Sequence, residues 1–171
     1  NNTATKSLSD YIGIYLKNSH SSTIQNNIII LNNRGNGIYI YKSQNTVVEN
    51  NTCLDNSYGT YGGICISSAD HTVIKNNTCK YNGHLYGGGI SVYNSEYTLV
   101  ENNTVKENRG NAGILLSGSD SCTIKNNFLK NNSGTAIYLR EAENNTVVNN
   151  TAQENTHNMY FEESNNNTVM N

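Results

Sequence analysis

Apolar residues alternate with polar or mixed ones in short bursts, and the bursts recur along the whole chain. The pairs Gly13-Ile14, Gly37-Ile38, Gly63-Ile64, Gly89-Ile90 and Gly113-Ile114 are followed by Ala136-Ile137 and Asn158-Met159, at intervals of 24, 26, 26, 24, 23 and 22 residues. A period of this size marks a solenoid, in which each repeat buries its apolar face against its neighbours. With the glycine as position zero, position +1 reads Ile14, Ile38, Ile64, Ile90, Ile114, Ile137, Met159, and position +3 reads Leu16, Ile40, Ile66, Val92, Leu116, Leu139, Phe161. Position +2 between them is mixed: Tyr15, Tyr39, Cys65, Ser91, Leu115, Tyr138, Tyr160. Apolar, variable, apolar is the period of a strand with one face inward. A second strand centres on Ile24, Val48, Ile74, Val100, Ile124, Val147 and Val169, and a third on Ile29, Cys53, Cys79, Val105, Leu129 and Ala152. The pattern predicts an all-β fold, a right-handed three-sheet parallel β-helix of about seven coils of 22–26 residues. The single domain spans residues 1–171, with coils beginning near 13, 37, 63, 89, 113, 136 and 158. No segment carries the i, i+3, i+4 spacing of a helix, and Asn, Gly and β-branched residues dominate.

The register also aligns polar residues. Asn26, Asn50, Asn76, Asn102, Asn126, Asn149 and Asn171 form one column, and in six coils the next residue is again Asn (Asn27, Asn51, Asn77, Asn103, Asn127, Asn150). A further column holds Asn32, Asn56, Asn82, Asn108, Asn132 and Asn155. Asparagine tolerates left-handed backbone at bends, and its amide both donates and accepts, so stacked asparagines can satisfy one another from coil to coil. This also accounts for the many Asn-X-Ser/Thr sequons, such as Asn76-Asn77-Thr78, without glycosylation.

Composition changes the picture only at the margins. The 171 residues are 35% hydrophobic and 14% charged, with a net charge of −2 and no proline. Without the repeat, so few apolar residues would read as disorder. No basic cluster points to nucleic acid, and no apolar run is long enough to span a membrane. With 14 glycines and no proline, turns must use Gly and Asn. The chain starts without an initiator methionine or signal peptide, and reads as a mature form or a fragment of a larger surface protein. The last coil stops in mid-strand, and Asn1–Ser9 offers no capping helix; solenoid ends need caps or partners, so end-to-end self-association is expected.

The consensus Gly-Ile-x-Leu-x-x-Ser-x-x-x-Thr-Ile-x-Asn-Asn, followed by an apolar strand and Asn, resembles the β-helix repeats of the periplasmic copper-maturation NosD family. It is also similar to the wider group of carbohydrate-binding proteins and sugar hydrolases with pectate-lyase-like folds. The resemblance covers residues 8–171. It implies a cell-surface, secreted or periplasmic protein with a glycan partner, but the repeat encodes coils and not a site.

Four features carry candidate chemistry. Position +7 reads His20, Gln44, Asp70, Glu96, Asp120, Glu143, Asn165. Four carboxylates in successive coils lie roughly 5 Å apart. Asp70, Glu96, Asp120 and Glu143 could hold Ca²⁺, or Asp70, Glu96 and Asp120 could serve acid/base cleavage of a polysaccharide, with Arg140 nearby in register. The plainer reading is a row splayed into water. Position +12 reads Gln25, Glu49, Lys75, Glu101, Lys125, a surface ion-pair column. Among 12 tyrosines, Tyr15, Tyr39, Tyr138 and Tyr160 point outward from the first strand, with Tyr41 and Tyr93 at its end. Such faces stack on sugar rings, or simply on each other. Finally, the turns before the glycines carry insertions at Ser57–Gly62 and Gly83–Gly88. These would gather Tyr58, Tyr61, His84 and Tyr86 with Arg34 and Arg109 on one edge, which together with Tyr15 and Tyr39 form the candidate carbohydrate-binding set.

Cys53 and Cys79 occupy one inward column, as a buried thiol stack or a disulfide; Cys65 is expected on the outer face, and Cys122 near the second strand. The histidines and the two methionines are scattered, so no copper-ligand cluster is visible. The leading expectation is therefore a non-catalytic surface or secreted module that binds carbohydrate or acts as a rigid spacer or adhesin. A polysaccharide lyase or hydrolase using the acidic row, and a NosD-like copper-maturation scaffold, are the alternatives.

Overall fold

A computed structural model describes residues 2–5, 12–30, 35–56, 62–83 and 86–171. The described strands form three parallel seven-stranded sheets and no helix. The first sheet contains Ile14–Lys17, Ile38–Tyr41, Gly62–Ser67, Gly88–Tyr93, Ala112–Ser117, Thr135–Arg140 and His157–Glu162, in that spatial order. The second runs from Thr23–Gln25 to Thr168–Met170, and the third from Thr3–Thr5 to Thr151–Gln153. Each strand pairs with its counterpart one coil away, for example Ile90 with Ile64 and Ile114. Six coils carry all three strands; Thr3–Thr5 precedes them, and the seventh coil contributes its first two.

Period-two alternation places the inward residues of all three sheets in one continuous core. Ile64, Ile66, Ile74, Cys79, Ile90, Val92, Val100 and Val105 are fully buried across two adjacent coils. Parallel strands in register stack like on like, so β-branched side chains nest on their own kind along the axis.

The paired asparagines divide the corner between the second and third sheets. The first of each pair sits exposed at the bend in left-handed backbone, with φ from 53° to 57° at Asn26, Asn50, Asn76, Asn102, Asn126 and Asn149. Its N–H still reaches the next coil; Asn50 donates to the carbonyl of Lys75 at 3.2 Å. The second is inside. Asn27 Nδ2 donates to Asn51 Oδ1 at 3.0 Å, Asn51 to Asn77 at 3.1 Å, Asn77 to Asn103 at 3.1 Å, Asn103 to Asn127 at 3.0 Å and Asn127 to Asn150 at 2.9 Å. The backbone N–H of each donates to the same oxygen, as Asn51 does to Asn77 at 2.9 Å. The amide also donates backwards, Asn77 to the Val48 carbonyl at 2.9 Å. A second column, Asn56, Asn82, Asn108 and Asn132 buried and Asn155 half-buried at its end, repeats the scheme at the turn leading back to the first sheet.

That second column explains the glycines that mark the repeat. A Cβ on Gly37, Gly63, Gly89 or Gly113 would stand 3.0–3.1 Å from the amide nitrogen of Asn56, Asn82, Asn108 or Asn132. It would also come within 2.6–2.9 Å of the carbonyl oxygen of the next coil. Glycine is required here for space beside the asparagine amides.

The surface column expected to pair by charge does so: Lys75 meets Glu49 at 3.0 Å and Lys125 meets Glu101 at 3.1 Å. Cys53 and Cys79 stack in register and carry no disulfide. The Cys79 thiol is pushed well up by its hydrogen bond with Cys53 and then by burial. Cys65 takes the outward position expected of it, yet it is fully buried there, as are Ser91 and, to within 5% exposure, Leu115 in the next two coils. The middle of the first sheet's outer face is covered, so residues there need not be polar.

Asn77→Ala removes an acceptor for two donors of Asn51 and a donor for Val48, and should lower the urea midpoint by an amount worth about 3 kcal/mol. Asn76→Gly, one residue away, should change it by a few tenths, because glycine suits the left-handed bend. Similar effects of the two would contradict the inside–outside division. In the native protein at pH 8 all four thiols should resist Ellman's reagent until denaturant is added, and prompt reaction of any one would contradict its burial.

Candidate functional site

The long strands of the first sheet, six residues in five successive coils, set a groove across its outer face. Outward positions +2 and +4 bring up Leu115 and Ser117 from Ala112–Ser117, Tyr138 and Arg140 from Thr135–Arg140, and Tyr160 and Glu162 from His157–Glu162. The turns before these strands add Tyr86, Arg109, Asn111, Ser133 and Gly134 along one edge. Two adjoining pockets result. One, of about 590 Å³, lies among Arg109, Asn111, Ser133, Tyr138, His157 and Tyr160. The other, of about 380 Å³, lies among Tyr86, Tyr93, Asn111, Leu115, Tyr138 and Arg140. They share Asn111 and Tyr138, so the groove is continuous over about 14 Å, three coil spacings.

Cross-strand pairing builds its floor. Tyr138 lies opposite Tyr160, ring centroids 5.2 Å apart at 41°, and Arg140 lies opposite Glu162. The Tyr138 hydroxyl donates to Glu162 Oε2. Arg140 Nε approaches the same oxygen at 3.7 Å, and its Nη2 reaches Glu141 at 3.3 Å. Burial, and then the hydrogen bond to Glu162, pushes the Tyr138 phenol up to about 12. Tyr138 is therefore a neutral hydroxyl, fixed in direction, throughout the physiological range. Arg109 is exposed and meets Asp55 at 3.7 Å. Tyr86, 61% exposed, stands at the rim.

Only some of the expected carbohydrate-binding residues are in this groove. Tyr86 and Arg109 are. Tyr15 and Tyr39 lie at the other end of the same sheet, stacked on each other with centroids 5.4 Å apart and planes at 8°. Tyr58, Tyr61, His84 and Arg34 lie outside the described residues. Asn111 and His157 had no signal in the repeat pattern, and Tyr138, Tyr160 and Arg140 stood outside the expected set; the signal available was the row of outward residues at positions +2 and +4 of the later coils.

The acidic row sits on a different edge. Asp70 Oδ1 accepts the Glu96 N–H at 2.8 Å, and Asp120 Oδ1 accepts the Glu143 N–H at 2.7 Å. Glu143 in turn accepts from the Asn165 amide at 3.1 Å. His20 does the same at the start of the row, its Nδ1 accepting from Gln44 N–H at 3.2 Å. The row thus stitches coil to coil, as the buried asparagines do inside. Among the described residues no three of His, Cys, Asp and Glu converge to hold a metal ion. Beside the acids, His71 and Tyr97 stack at 5.0 Å with planes at 6°.

The sequence matches the family described as the periplasmic copper-binding protein NosD over residues 1–62 and 60–171. No curated protein matches. Among solved structures, a double mutant of the periplasmic alginate epimerase AlgG superposes with a TM-score of 0.74 at 21% identity, over 86% of this chain and 34% of that one. The A-module of the Azotobacter vinelandii mannuronan C-5 epimerase AlgE6 gives 0.65 at 16%, over 92% and 53%. Tailspike protein 2 from the Escherichia coli O157:H7 bacteriophage CAB120 gives 0.64 at 11%, over 92% and 24%. The chain spans between about a quarter and a half of the length of these three, and at such identities the likeness is one of fold. Among the described residues the donor set does not fit copper: all four thiols are buried, and His20, His71 and His157 stand at separate points of the coil. With the repeat, the three-sheet architecture and a match along its whole length, the chain belongs to the NosD family of β-helix proteins.

Proposed function

We propose that this chain binds polysaccharide along the outer face of its first sheet and performs no chemistry on it. The observation that carries the reading is the groove itself: exposed tyrosine faces beside hydrogen-bonding groups, Asn111, Ser133, the Tyr138 hydroxyl and Arg140, along about 14 Å of the sheet. Sugar rings present apolar faces edged with hydroxyls, which is what such a lining complements. Two of the solved structures that share the fold are an alginate epimerase and a mannuronan epimerase, which is consistent with a glycan partner. The family description and these likenesses support a place outside the cytoplasm, in the periplasm or at the cell surface. The described residues contain no helix long and apolar enough to cross a membrane.

Cleavage by Asp70, Glu96 and Asp120 is the second reading. It is weakened by the use of one Asp70 oxygen and one Asp120 oxygen on backbone N–H groups. A Ca²⁺ on Asp70, Glu96, Asp120 and Glu143 would be left the second oxygen of Asp70 and of Asp120.

The test is a panel of neutral and acidic polysaccharides assayed for binding and for new reducing ends or unsaturated products, with and without Ca²⁺. Binding without product is expected, weakened about fivefold by Tyr86→Ala, as the loss of one stacking contact of about 1 kcal/mol implies. Product that disappears in Asp70→Asn or Asp120→Asn would make the acidic edge catalytic and overturn the reading.

A further inference from the structure

The groove differs in charge from the protein that carries it. The chain has 13 acidic against 11 basic side chains. Two arginines and a histidine line the two pockets, and the one carboxylate that the groove's strands bring up beside them, Glu162, already accepts the Tyr138 hydroxyl. Arg109 comes from the turn before Ala112–Ser117, and Arg140 from the end of the neighbouring strand Thr135–Arg140, so the two guanidiniums flank Asn111 and Tyr138 from opposite ends of the coil face.

Two of the three carboxylate contacts these arginines make are loose. Arg109 meets Asp55 at 3.7 Å, and Arg140 meets Glu141 at 3.3 Å and Glu162 at 3.7 Å. Both arginine side chains are more than half exposed. The Glu162 oxygen that faces Arg140 already accepts the Tyr138 hydroxyl. Exposed pairs of this kind contribute about 0–1 kcal/mol, so either guanidinium can turn to a ligand oxyanion that offers two parallel hydrogen bonds. The described lysine pairs elsewhere on the protein run from 3.0 to 3.3 Å, shorter than the 3.7 Å of Arg109–Asp55 and Arg140–Glu162.

From this we infer that the groove selects an anionic saccharide, with Arg109 and Arg140 each engaging a charged group of the sugar while the tyrosines stack on its rings. The inference rests on the glycan-binding reading and narrows it to a substrate class. Carboxylate on a uronic acid and sulfate on a sulfated sugar share the chemistry that two guanidiniums recognise, and the arms of the experiment separate them.

The experiment is calorimetric titration of the intact chain with three sets of oligosaccharides of equal length: oligogalacturonate and oligomannuronate, a sulfated oligosaccharide, and neutral cello- and malto-oligosaccharides. The expected result is binding of an anionic set that weakens steeply as salt is raised from about 50 to about 300 mM and falls at least about tenfold in Arg109→Gln and in Arg140→Gln. Lys130→Gln, on the outer face of the third sheet, should leave it unchanged, which separates the groove from general charge attraction. Circular dichroism checks that both arginine variants fold, as their exposure requires. Tighter binding of neutral than of anionic sugars would overturn the inference and leave the glycan reading standing. Anionic binding indifferent to both arginine substitutions would overturn it too. No binding to any set would remove the reading on which it rests.

Discussion

Everything in this molecule depends on holding successive coils in register, and buried amides do much of that holding. A parallel β-helix turns its backbone sharply between its three strands in each coil, and each turn exposes N–H and C=O groups to the apolar interior. In this chain the side-chain oxygen of a buried asparagine accepts both the backbone N–H and the amide of the coil before it, and its nitrogen reaches a carbonyl behind. An unsatisfied buried group costs about 1–3 kcal/mol, so a slip of one residue would penalise every rung at once. Networks of this kind work as a unit, which is why a chain with only 35% hydrophobic residues can have one structure.

The same constraint accounts for features that look unrelated. Glycine stands at position zero of five coils, and the asparagine amides of the neighbouring turn occupy the space beside Gly37, Gly63, Gly89 and Gly113. The carboxylates of Asp70 and Asp120 do for the outer edge what Asn51 and Asn77 do inside, accepting an N–H from a neighbouring coil. With inward positions given to stacking and corners to capping, variation is left to the outward positions of the strands and to the turns before the first sheet. The groove is built from those: Tyr138, Arg140 and Tyr160 on strands, and Arg109, Asn111 and Ser133 on turns.

How much of this the sequence disclosed follows from the same division. The coil period, the three strands and the inward columns were legible because an in-register stack repeats one environment, so Ile64, Ile90 and Ile114 answer to the same neighbours. The split between Asn76 and Asn77 was not, since both are asparagine and only their backbone angles and burial tell them apart. Nor was the burial of Cys65 and Ser91, because alternation says which face a residue takes and not what lies over that face. Of the candidate site, the residue types were legible and their meeting place was not. Outward tyrosines were visible, but Tyr15 and Tyr39 stack on each other far along the sheet, while the groove assembles at Tyr86, Tyr138 and Tyr160, where turn residues from adjacent coils meet.

Ligand binding on the outer face of the first sheet is the central claim, and amide hydrogen exchange with and without a saturating oligosaccharide tests it most directly. Protection should rise in the turns and strands over 109–117 and 133–140, with no change in Thr78–Lys80 or Thr123–Lys125 on the other two sheets. Protection centred instead on 70–71, 96–97 and 120–121 would place the ligand on the acidic edge and contradict the claim.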